Sequence, residues 1–325
     1  MAALKEESIE KRPKVARLEA EGLRTTESIS FWGTVWRRLF RRKSAVVGLW
    51  ILAFLVLIAL TADWIAPYDP VQVLIGVEPV KMRQKPCIHL LGCPEDQPQH
   101  IMGIDGNVRD QFSRILYGAR LSLLVGLSTV TFAIIIGTFL GAIAGYLGGV
   151  VDNVIMRFMD VLLAFPSLLL AIAIVTILGP GLINALLAIA IVSIPTYARV
   201  TRATVLSVRE MDFVEASRAM GGGWGYILFG RILPNSLTPL IVTGTLGIAT
   251  AILDAAALSF LGLGAQPPTP EWGTMLGAER NQVFTAPHLV FFPGFAIMLT
   301  VLAFNLLGDG LRDALDPRLA QRGEE

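Results

Sequence analysis

Charged side chains are scarce in this sequence of 325 residues. Only 16% of the residues are charged, while 54% are hydrophobic and the mean hydropathy is +0.61. Soluble domains contain about 25% charged residues, so this chain has too few to cover a surface that faces water. The composition therefore indicates a membrane protein that crosses the bilayer several times, and the near-neutral total charge adds little to that inference.

Other residue types needed for common chemistry are also few. Two cysteines cannot build a disulfide framework or a four-ligand zinc site alone. The three histidines, at positions 89, 100 and 288, have no metal-ligand spacing, so we assign no metal and no cofactor. No Gly-Lys pair occurs anywhere, which excludes the phosphate-binding loop GxxxxGK[ST]. If the protein works with ATP, another chain must bind it.

Residues 1–43 form a basic N-terminal segment with eleven Lys and Arg against six Glu. Its first thirty residues have few large apolar side chains, which is typical of a disordered tail. An aromatic and aliphatic stripe with arginines between its members then predicts a helix in the headgroup region; the stripe is Phe31, Trp32, Val35, Trp36, Leu39 and Phe40. The alternatives are a solvated basic tail and, least favoured, a nucleic-acid-binding segment, so nucleic acid is not among the expected partners.

The first membrane span is predicted at 44–66, because that run supplies the roughly 20 apolar residues that a bilayer requires. A proline-rich loop follows at 67–118 and contains both cysteines, Cys87 and Cys93. If the loop is extracytoplasmic, a disulfide between them is favoured, and two free thiols are the alternative. The end of the loop predicts a short amphipathic helix before the next span.

Five further spans are predicted from the remaining hydrophobic runs. They lie at 121–147, 159–178, 182–203, 237–263 and 288–307. Within the second span Gly137, Gly141 and Gly145 recur at every fourth position, a spacing that lets two helices pack closely in a bilayer. The prediction is thus an all-α polytopic membrane protein with six transmembrane helices.

Six spans put both termini, the 2–3 link and the 4–5 link on one side of the membrane. That side carries 20 of the 27 Lys and Arg, and the other side carries seven. Because positive charge accumulates in cytoplasmic loops, the first side is predicted to be cytoplasmic.

Few charged groups lie within the predicted spans. Asp160 is one turn from Arg157, and we expect these two to form an ion pair near the cytoplasmic boundary. Asp254 lies deeper, where it is expected to face a pore or a partner subunit. Asn305 and Asp309 complete the set, and Asp309 is expected to be hydrated at the end of its span.

The 4–5 link carries the most specific motif. It reads Phe213-Val214-Glu215-Ala216-Ser217-Arg218-Ala219-Met220-Gly221, and after nine intervening residues it continues as Arg231-Ile232-Leu233-Pro234-Asn235. This pattern resembles the EAA loop of binding-protein-dependent ABC importer permeases. Further matching stretches at 157–166, 258–264, 270–273 and 304–313 resemble the oligopeptide/dipeptide branch, which also serves nickel, and within it the second, C-type subunit.

The resemblance implies a type I importer permease fold, with an ABC transmembrane domain of five helices at 119–310 and a cytoplasmic tail at 311–325. It implies a coupling loop at 204–234 whose contacts with the ATPase come from the motif; the residues are Glu215, Ala216, Ser217, Gly221, Ile232, Leu233 and Pro234. The implied partners are a second homologous permease, two cytoplasmic ATPases and an extracytoplasmic solute-binding protein. Short peptides are the implied solute, and the chain itself is not an enzyme.

The sequence departs from the family pattern at several positions. Ser217 stands where a second Ala is usual, Arg231 replaces an aliphatic residue and Asp254 replaces a Glu. The cysteine-bearing insert at 87–98 is outside the pattern. Two other classes stay open at this point: a secondary transporter, which should show inverted repeats or midplane charges, and a structural membrane subunit. Catalytic clusters expected of a membrane enzyme are missing.

Overall fold

The computed structural model describes residues 31–315, and within that range the chain is helical with three isolated β-bridges and no strand. The helices are α1 (Phe31–Arg41), α2 (Lys43–Ile65), α3 (Gln111–Leu147), α4 (Gly149–Leu163), α5 (Ser167–Leu178), α6 (Leu182–Arg209), α7 (Asp212–Ala219), α8 (Leu233–Asn235), α9 (Leu237–Phe260), α10 (Trp272–Glu279) and α11 (Pro287–Leu315). A π-helix spans Tyr226–Ile232, and 3₁₀ turns span His89–Leu91 and Arg280–Gln282. The predicted tail sequences at 1–30 and 316–325 lie outside the described residues.

Five helices, α2, α3, α6, α9 and α11, are long and apolar enough to cross a membrane. Helices α4 and α5 pass the same test together, but they are bent by 91° at the break between them. The predicted six spans are therefore reached when this bent pair counts as one span.

The predicted third span at 159–178 is wrong in its start and in its shape. Helix α4 already begins at Gly149, directly after α3, and the break follows Ala164. Pro166 explains the break, because proline has no backbone N–H and disfavours helical geometry in the residue before it. The apolar run continues through the break, so hydropathy alone did not reveal it.

Helix α3 begins ten residues before the predicted second span. The carboxylate of Asp110 caps the helix by accepting hydrogen bonds from the Ser113 N–H and hydroxyl, both at 2.7 Å. The predicted short amphipathic helix and the second span are thus one continuous helix of 37 residues. At 1.5 Å per residue it is about 55 Å long, so it extends beyond the hydrocarbon core.

The glycine spacing in α3 marks a close helix contact, as predicted, and the structure shows that the partner is α6. A Cβ at Gly137 would lie 2.8 Å from the Ile194 carbonyl oxygen, and one at Gly145 would lie 2.9 Å from that of Arg202. Gly141 meets the Ala198 carbonyl even more closely. Only glycine allows the two helices to approach this closely. The hydrophobic effect does not drive helices together in lipid, so the close packing contact stabilises the pair instead.

Helices α1 and α2 both pack against α11, and the α1 contact lies at its C-terminal end. Gly48 of α2 lies against Ala303, and Gly310 of α11 lies against Ala45. Val35 and Leu39 of α1 are buried against the end of α11, together with Ile241 and Val242 of α9. The predicted stripe of α1 is therefore divided: its aliphatic members face the protein, while Trp36 and Phe40 remain exposed.

The loop between α2 and α3 is folded, on the face of the molecule opposite to α1. Leu74, Ile104 and Val108 form a small apolar core. Cys87 and Cys93 are bonded as a disulfide, with their Cα atoms 5.4 Å apart. Arg83 pairs with Glu279 of α10 at 2.9 Å, which attaches the loop to the rest of the chain.

A buried histidine lies within this loop. Nδ1 of His100 is 2.8 Å from the Asp110 carboxylate, and Nε2 is 3.1 Å from the Glu78 carboxylate. Tyr68 stacks on the imidazole and donates its hydroxyl hydrogen to Glu78. Burial by itself lowers the pKa of His100, but the hydrogen bonds and charges of Asp110 and Glu78 outweigh it, so the pKa is raised. The His100 imidazole thus joins the loop to Asp110, the cap of α3.

We expect His100→Gln to destabilise the protein most at acidic pH. Because the folded pKa is raised, the stabilisation by His100 is full below its unfolded pKa and is lost as the pH rises through the folded pKa. Hydrogen bonds to charged groups contribute about 1.5–3 kcal/mol, so the difference from wild type should be of that order at low pH. Thermal unfolding followed by tryptophan fluorescence across pH measures it.

The control is His89→Gln in the same loop, since the only hydrogen bond of the His89 imidazole within residues 31–315 is to the Gln97 carbonyl. It should show little pH-dependent difference from wild type. A His100→Gln penalty that stays constant from acidic to alkaline pH would contradict the charged histidine.

Candidate functional site

The motif residues at 213–221 and 231–235 fold as one compact segment between α6 and α9. Helix α7 comes directly after α6, a turn of three glycines follows, and the π-helix and α8 lead into α9. We call residues 212–235 the α7 segment. It lies on the same face of the molecule as α1, because Ile241 and Val242 at the start of α9 contact the α1 cluster.

One side of α7 is anchored in the protein. Val214 is fully buried in a cluster with Val205 and Val208 of α6 and Ala142 of α3. Ser217, one turn later, is also buried and donates its hydroxyl hydrogen to the Phe213 carbonyl at 2.8 Å. Burying a valine side chain contributes roughly 1.5–3 kcal/mol, so this contact fixes α7 against the ends of two long helices. The Ser in place of Ala is accommodated because its hydroxyl is paired.

The glycine turn closes α7 with a Schellman motif. The Gly222 N–H donates to the Ser217 carbonyl at 3.0 Å, and the Gly221 N–H donates to the Arg218 carbonyl at 2.9 Å. Gly221 has φ +83°, the left-handed region that favours glycine, but a Cβ there would meet nothing within 4 Å. At Gly222 a Cβ would lie 2.8 Å from the Ser217 carbonyl oxygen. Within this chain Gly221 is therefore needed for its backbone angle, and Gly222 for space.

The second part of the motif has a divided role. Ile232 is fully buried in the same cluster as Val214, and Leu233 packs beside it. Pro234 is exposed at the start of α8. Arg231, the departure from the usual aliphatic residue, is exposed and its guanidinium lies over the Tyr226 ring at 5.4 Å. Ile232 thus anchors the segment, whereas Pro234 belongs to its outer surface.

The outer surface of the α7 segment combines charge with large apolar groups. Glu215 and Ala216 are exposed, and the Glu215 carboxylate forms no hydrogen bond or ion pair with residues 31–315. The same segment also exposes large apolar side chains; the most exposed are Met220 at 77%, Trp224 at 62% and Tyr226 at 57%. Exposed apolar surface of this kind, with charges at its rim, is typical of a protein interaction site.

Arg209 fixes the orientation of the segment, and the motif did not reveal this residue. Its guanidinium donates to the Gly145 and Tyr146 carbonyls at 3.1 and 3.3 Å, at the C-terminal end of α3. A cation suits the free carbonyls at a helix end. A second link is formed by Asp152 of α4 and Arg202 of α6, whose two hydrogen bonds are both 2.5 Å long. The only sequence signal for these contacts of Arg202 and Arg209 was the position of arginines near a helix end.

The expected ion pair of Arg157 with Asp160 is wrong. The carboxylate of Asp160 is 2.6 Å from the guanidinium of Arg199, because this side of α4 faces α6. Arg157 is exposed instead. The Asp160 and Arg199 side chains remain 61% and 51% exposed.

Two further observations concern Asp254, whose expected contact with a pore or partner stays a prediction, and metal-ligating side chains. Asp254 is partly buried on α9 and pairs with no residue in the range 31–315. No group of three His, Cys, Asp or Glu side chains that could hold a metal ion occurs among the described residues.

Comparisons with known proteins agree with these observations. A family model described as "Binding-protein-dependent transport system inner membrane component" matches residues 137–321, more than half of the chain. A second model, "N-terminal TM domain of oligopeptide transport permease C", matches residues 30–86.

Curated relatives match over almost the whole chain. The dipeptide transport system permease protein DppC of Alkalihalophilus pseudofirmus is 51% identical and covers 90% of this chain and 91% of its own. The di/tripeptide permease DppC of Pseudomonas aeruginosa is 50% identical, over 87% and 91%. The glutathione transport system permease protein GsiD of Pectobacterium atrosepticum is 46% identical, over 89% and 91%.

A solved structure supports the same fold. One chain of the inward-facing MetNI methionine ABC transporter has a TM-score of 0.53 and 18% identity, and the match covers 62% of this chain and 96% of that one. At this identity the likeness concerns the fold, which is that of a type I importer permease. Together with the family models and the relatives, it shows that the chain belongs to the family of binding-protein-dependent transport system inner membrane components, as a C-type permease subunit.

Proposed function

We propose that this permease forms half of a translocation pathway for short peptides and that the α7 segment couples it to a cytoplasmic ATPase. The observation that carries the coupling role is the exposed, partly apolar surface of a segment that is fixed to the ends of α3 and α6. An ATPase that grips this surface would move both long helices with it.

In this proposal, the buried and the exposed residues of the α7 segment have separate roles. Val214, Ile232 and the Arg209 contact hold the α7 segment, so movement of the segment is passed to the spans. Glu215 and Met220 are free to contact another protein. ATP itself has to be bound by separate subunits, because the chain has no phosphate-binding loop. For coupling, the segment must bind the open and closed ATPase with different affinity.

A second permease subunit is supported by the ion pair of Asp160 with Arg199. The pair lies on helices that belong to the membrane-spanning part, yet both side chains are half exposed in the single chain. Charges in contact with lipid hydrocarbon are costly, so this surface should face a second permease or a water-filled pathway. Asp254, partly exposed on α9, is proposed to face the same pathway or partner.

The orientation follows from the positive charge. The face with α1, the end of α11 and the α7 segment is the one with 20 of the 27 Lys and Arg, so we place it in the cytoplasm. The disulfide-bonded loop is then outside, where an extracytoplasmic solute-binding protein delivers the solute. The protein is accordingly assigned to the inner (plasma) membrane of a prokaryote.

Peptides are proposed as solute because of the relatives. The names of DppC and GsiD specify dipeptides, tripeptides and glutathione, all of which contain peptide bonds. Nothing in this chain alone selects one peptide, and the binding protein is proposed to determine most of the selectivity.

The coupling role predicts different effects for two substitutions of Gly221. Asn and Asp have nearly the same size and both tolerate the left-handed backbone better than other side chains. Gly221→Asp adds a charge to the docking surface and should abolish most peptide uptake, whereas Gly221→Asn should transport at close to the wild-type rate. Uptake and ATP hydrolysis in reconstituted complexes measure the difference.

Replacement of Glu215 supplies the second half of this test. A charged hydrogen bond to a partner contributes about 1.5–3 kcal/mol, so Glu215→Ala should weaken ATPase association by tenfold or more. Membrane levels should stay normal, because insertion depends on the apolar spans. Wild-type uptake by both Glu215→Ala and Gly221→Asp would show that the α7 segment does not couple.

The orientation predicts which side chains react with a membrane-impermeant thiol reagent. Phe284 is 98% exposed between α10 and α11, and Met220 is 77% exposed on the other face. Phe284→Cys should be labelled in intact cells, and Met220→Cys only after permeabilisation. The reverse pattern would invert the topology. The native cysteines should not interfere while they are bonded.

The solute class is tested by uptake in cells with and without the gene. Labelled dipeptides to pentapeptides should require the protein, and labelled sugars or Ni²⁺ should not. A plasmid-borne wild-type copy should restore uptake, and the Gly221→Asp copy serves as a control that reaches the membrane without transporting. Uptake of sugars alone would exclude the peptide assignment but would leave the importer class intact.

A further inference from the structure

Helix α1 is only half covered by the protein. Val35 and Leu39 are 5% and 4% exposed against the end of α11, whereas Trp36 and Phe40 are 53% and 55% exposed. The two aromatic rings stack on each other with centroids 5.7 Å apart. A large apolar surface is therefore presented outwards at a fixed position.

This aromatic stack lies within a region of unbalanced positive charge. Arg37, Arg38, Arg41, Arg42 and Lys43 lie within seven residues, and no acidic residue occurs between Glu27 and Asp63. Asp313 lies 3.6 Å from Arg42, with both side chains about half exposed. Arg37 and Arg41, one helical turn apart and next to the stack, are exposed and form no ion pair within residues 31–315.

The position of α1 places these groups at the boundary of the membrane. Helix α2, a strongly apolar candidate span, begins at Lys43, two residues after the end of α1. Aromatic side chains are favoured where water and hydrocarbon meet, and basic residues at this level are attracted to anionic headgroups.

We propose that Trp36, Arg37, Phe40 and Arg41 form a binding site for an anionic phospholipid. The two guanidinium groups bind the phosphate and the anionic headgroup, and the stacked rings lie along the upper part of the acyl chains. A soluble phosphate compound would neutralise the arginines but leave the aromatic stack in water, which is why the complementary ligand is a lipid.

A lipid bound at this site also restrains the α7 segment, because α9 connects the two. Ile241 and Val242, which pack on the α1 cluster, are only seven and eight residues after Pro234. A lipid that holds α1 against α11 therefore also holds the start of α9. Lipid binding itself does not depend on the coupling role, because it is a property of the single chain.

The test is a lipid titration of the purified full chain by native mass spectrometry. Phosphatidylglycerol and phosphatidylcholine with the same acyl chains are compared. Each basic residue near an anionic surface contributes about a fivefold gain in affinity, so Arg37→Gln combined with Arg41→Gln should weaken phosphatidylglycerol binding by roughly 25-fold. The same variant should bind phosphatidylcholine as the wild type does. Arg37→Lys combined with Arg41→Lys, which keeps both charges, should bind phosphatidylglycerol with close to wild-type affinity.

The matched control is Lys81→Gln with Lys85→Gln, which removes two exposed positive charges from the opposite face. It should bind phosphatidylglycerol as the wild type does. The site is refuted if the double Gln variant keeps full affinity, if the Lys81/Lys85 control loses as much, or if millimolar inorganic phosphate displaces the lipid. A Trp36→Leu and Phe40→Leu variant, which preserves every charge, should lose affinity for both lipids, and unchanged binding by it would refute the role of the stack.

Discussion

The close contact between α3 and α6 is the constraint on which the rest of the structure depends. In a bilayer two apolar helices gain little by leaving lipid for each other, so the contact relies on fit, and Gly137, Gly141 and Gly145 provide it. The same contact brings the C-terminal ends of both helices together, so that Arg209 can reach the carbonyls of Gly145 and Tyr146. The α7 segment is attached to that joint.

This arrangement divides the α7 segment into an inner and an outer part with different physical requirements. Val214, Ser217 and Ile232 are buried, and they tolerate only small or apolar side chains. Glu215, Met220 and Trp224 have no such restriction within the chain, since they are exposed. Gly221 contributes a backbone angle and Gly222 a close contact, so adjacent glycines serve different purposes.

The two faces of the molecule are stabilised by different chemistry. On the proposed outer face, His100 bridges the carboxylates of Asp110 and Glu78 within the loop that also contains the Cys87–Cys93 disulfide. On the proposed cytoplasmic face, aliphatic contacts of Val35 and Leu39 hold α1, and aromatic and basic groups are left for the membrane surface. Between these faces, the spans carry the ion pair of Asp160 and Arg199. Both side chains are about half exposed to the surroundings of the single chain.

The sequence by itself determined the membrane character, most span positions, the contact surface of α3 and the α7 motif, because apolar length, glycine spacing and motif order are local properties. It did not determine the bend at Pro166, the early start of α3 at Gln111 or the partner of Asp160, nor could it separate the buried from the exposed members of the α1 stripe. Each of these depends on which element lies alongside in space. Asp160 has Arg157 one turn away on its own helix, yet it pairs with Arg199, because α4 packs with that side against α6. Local patterns define helices and their faces, and only the tertiary structure decides which faces meet.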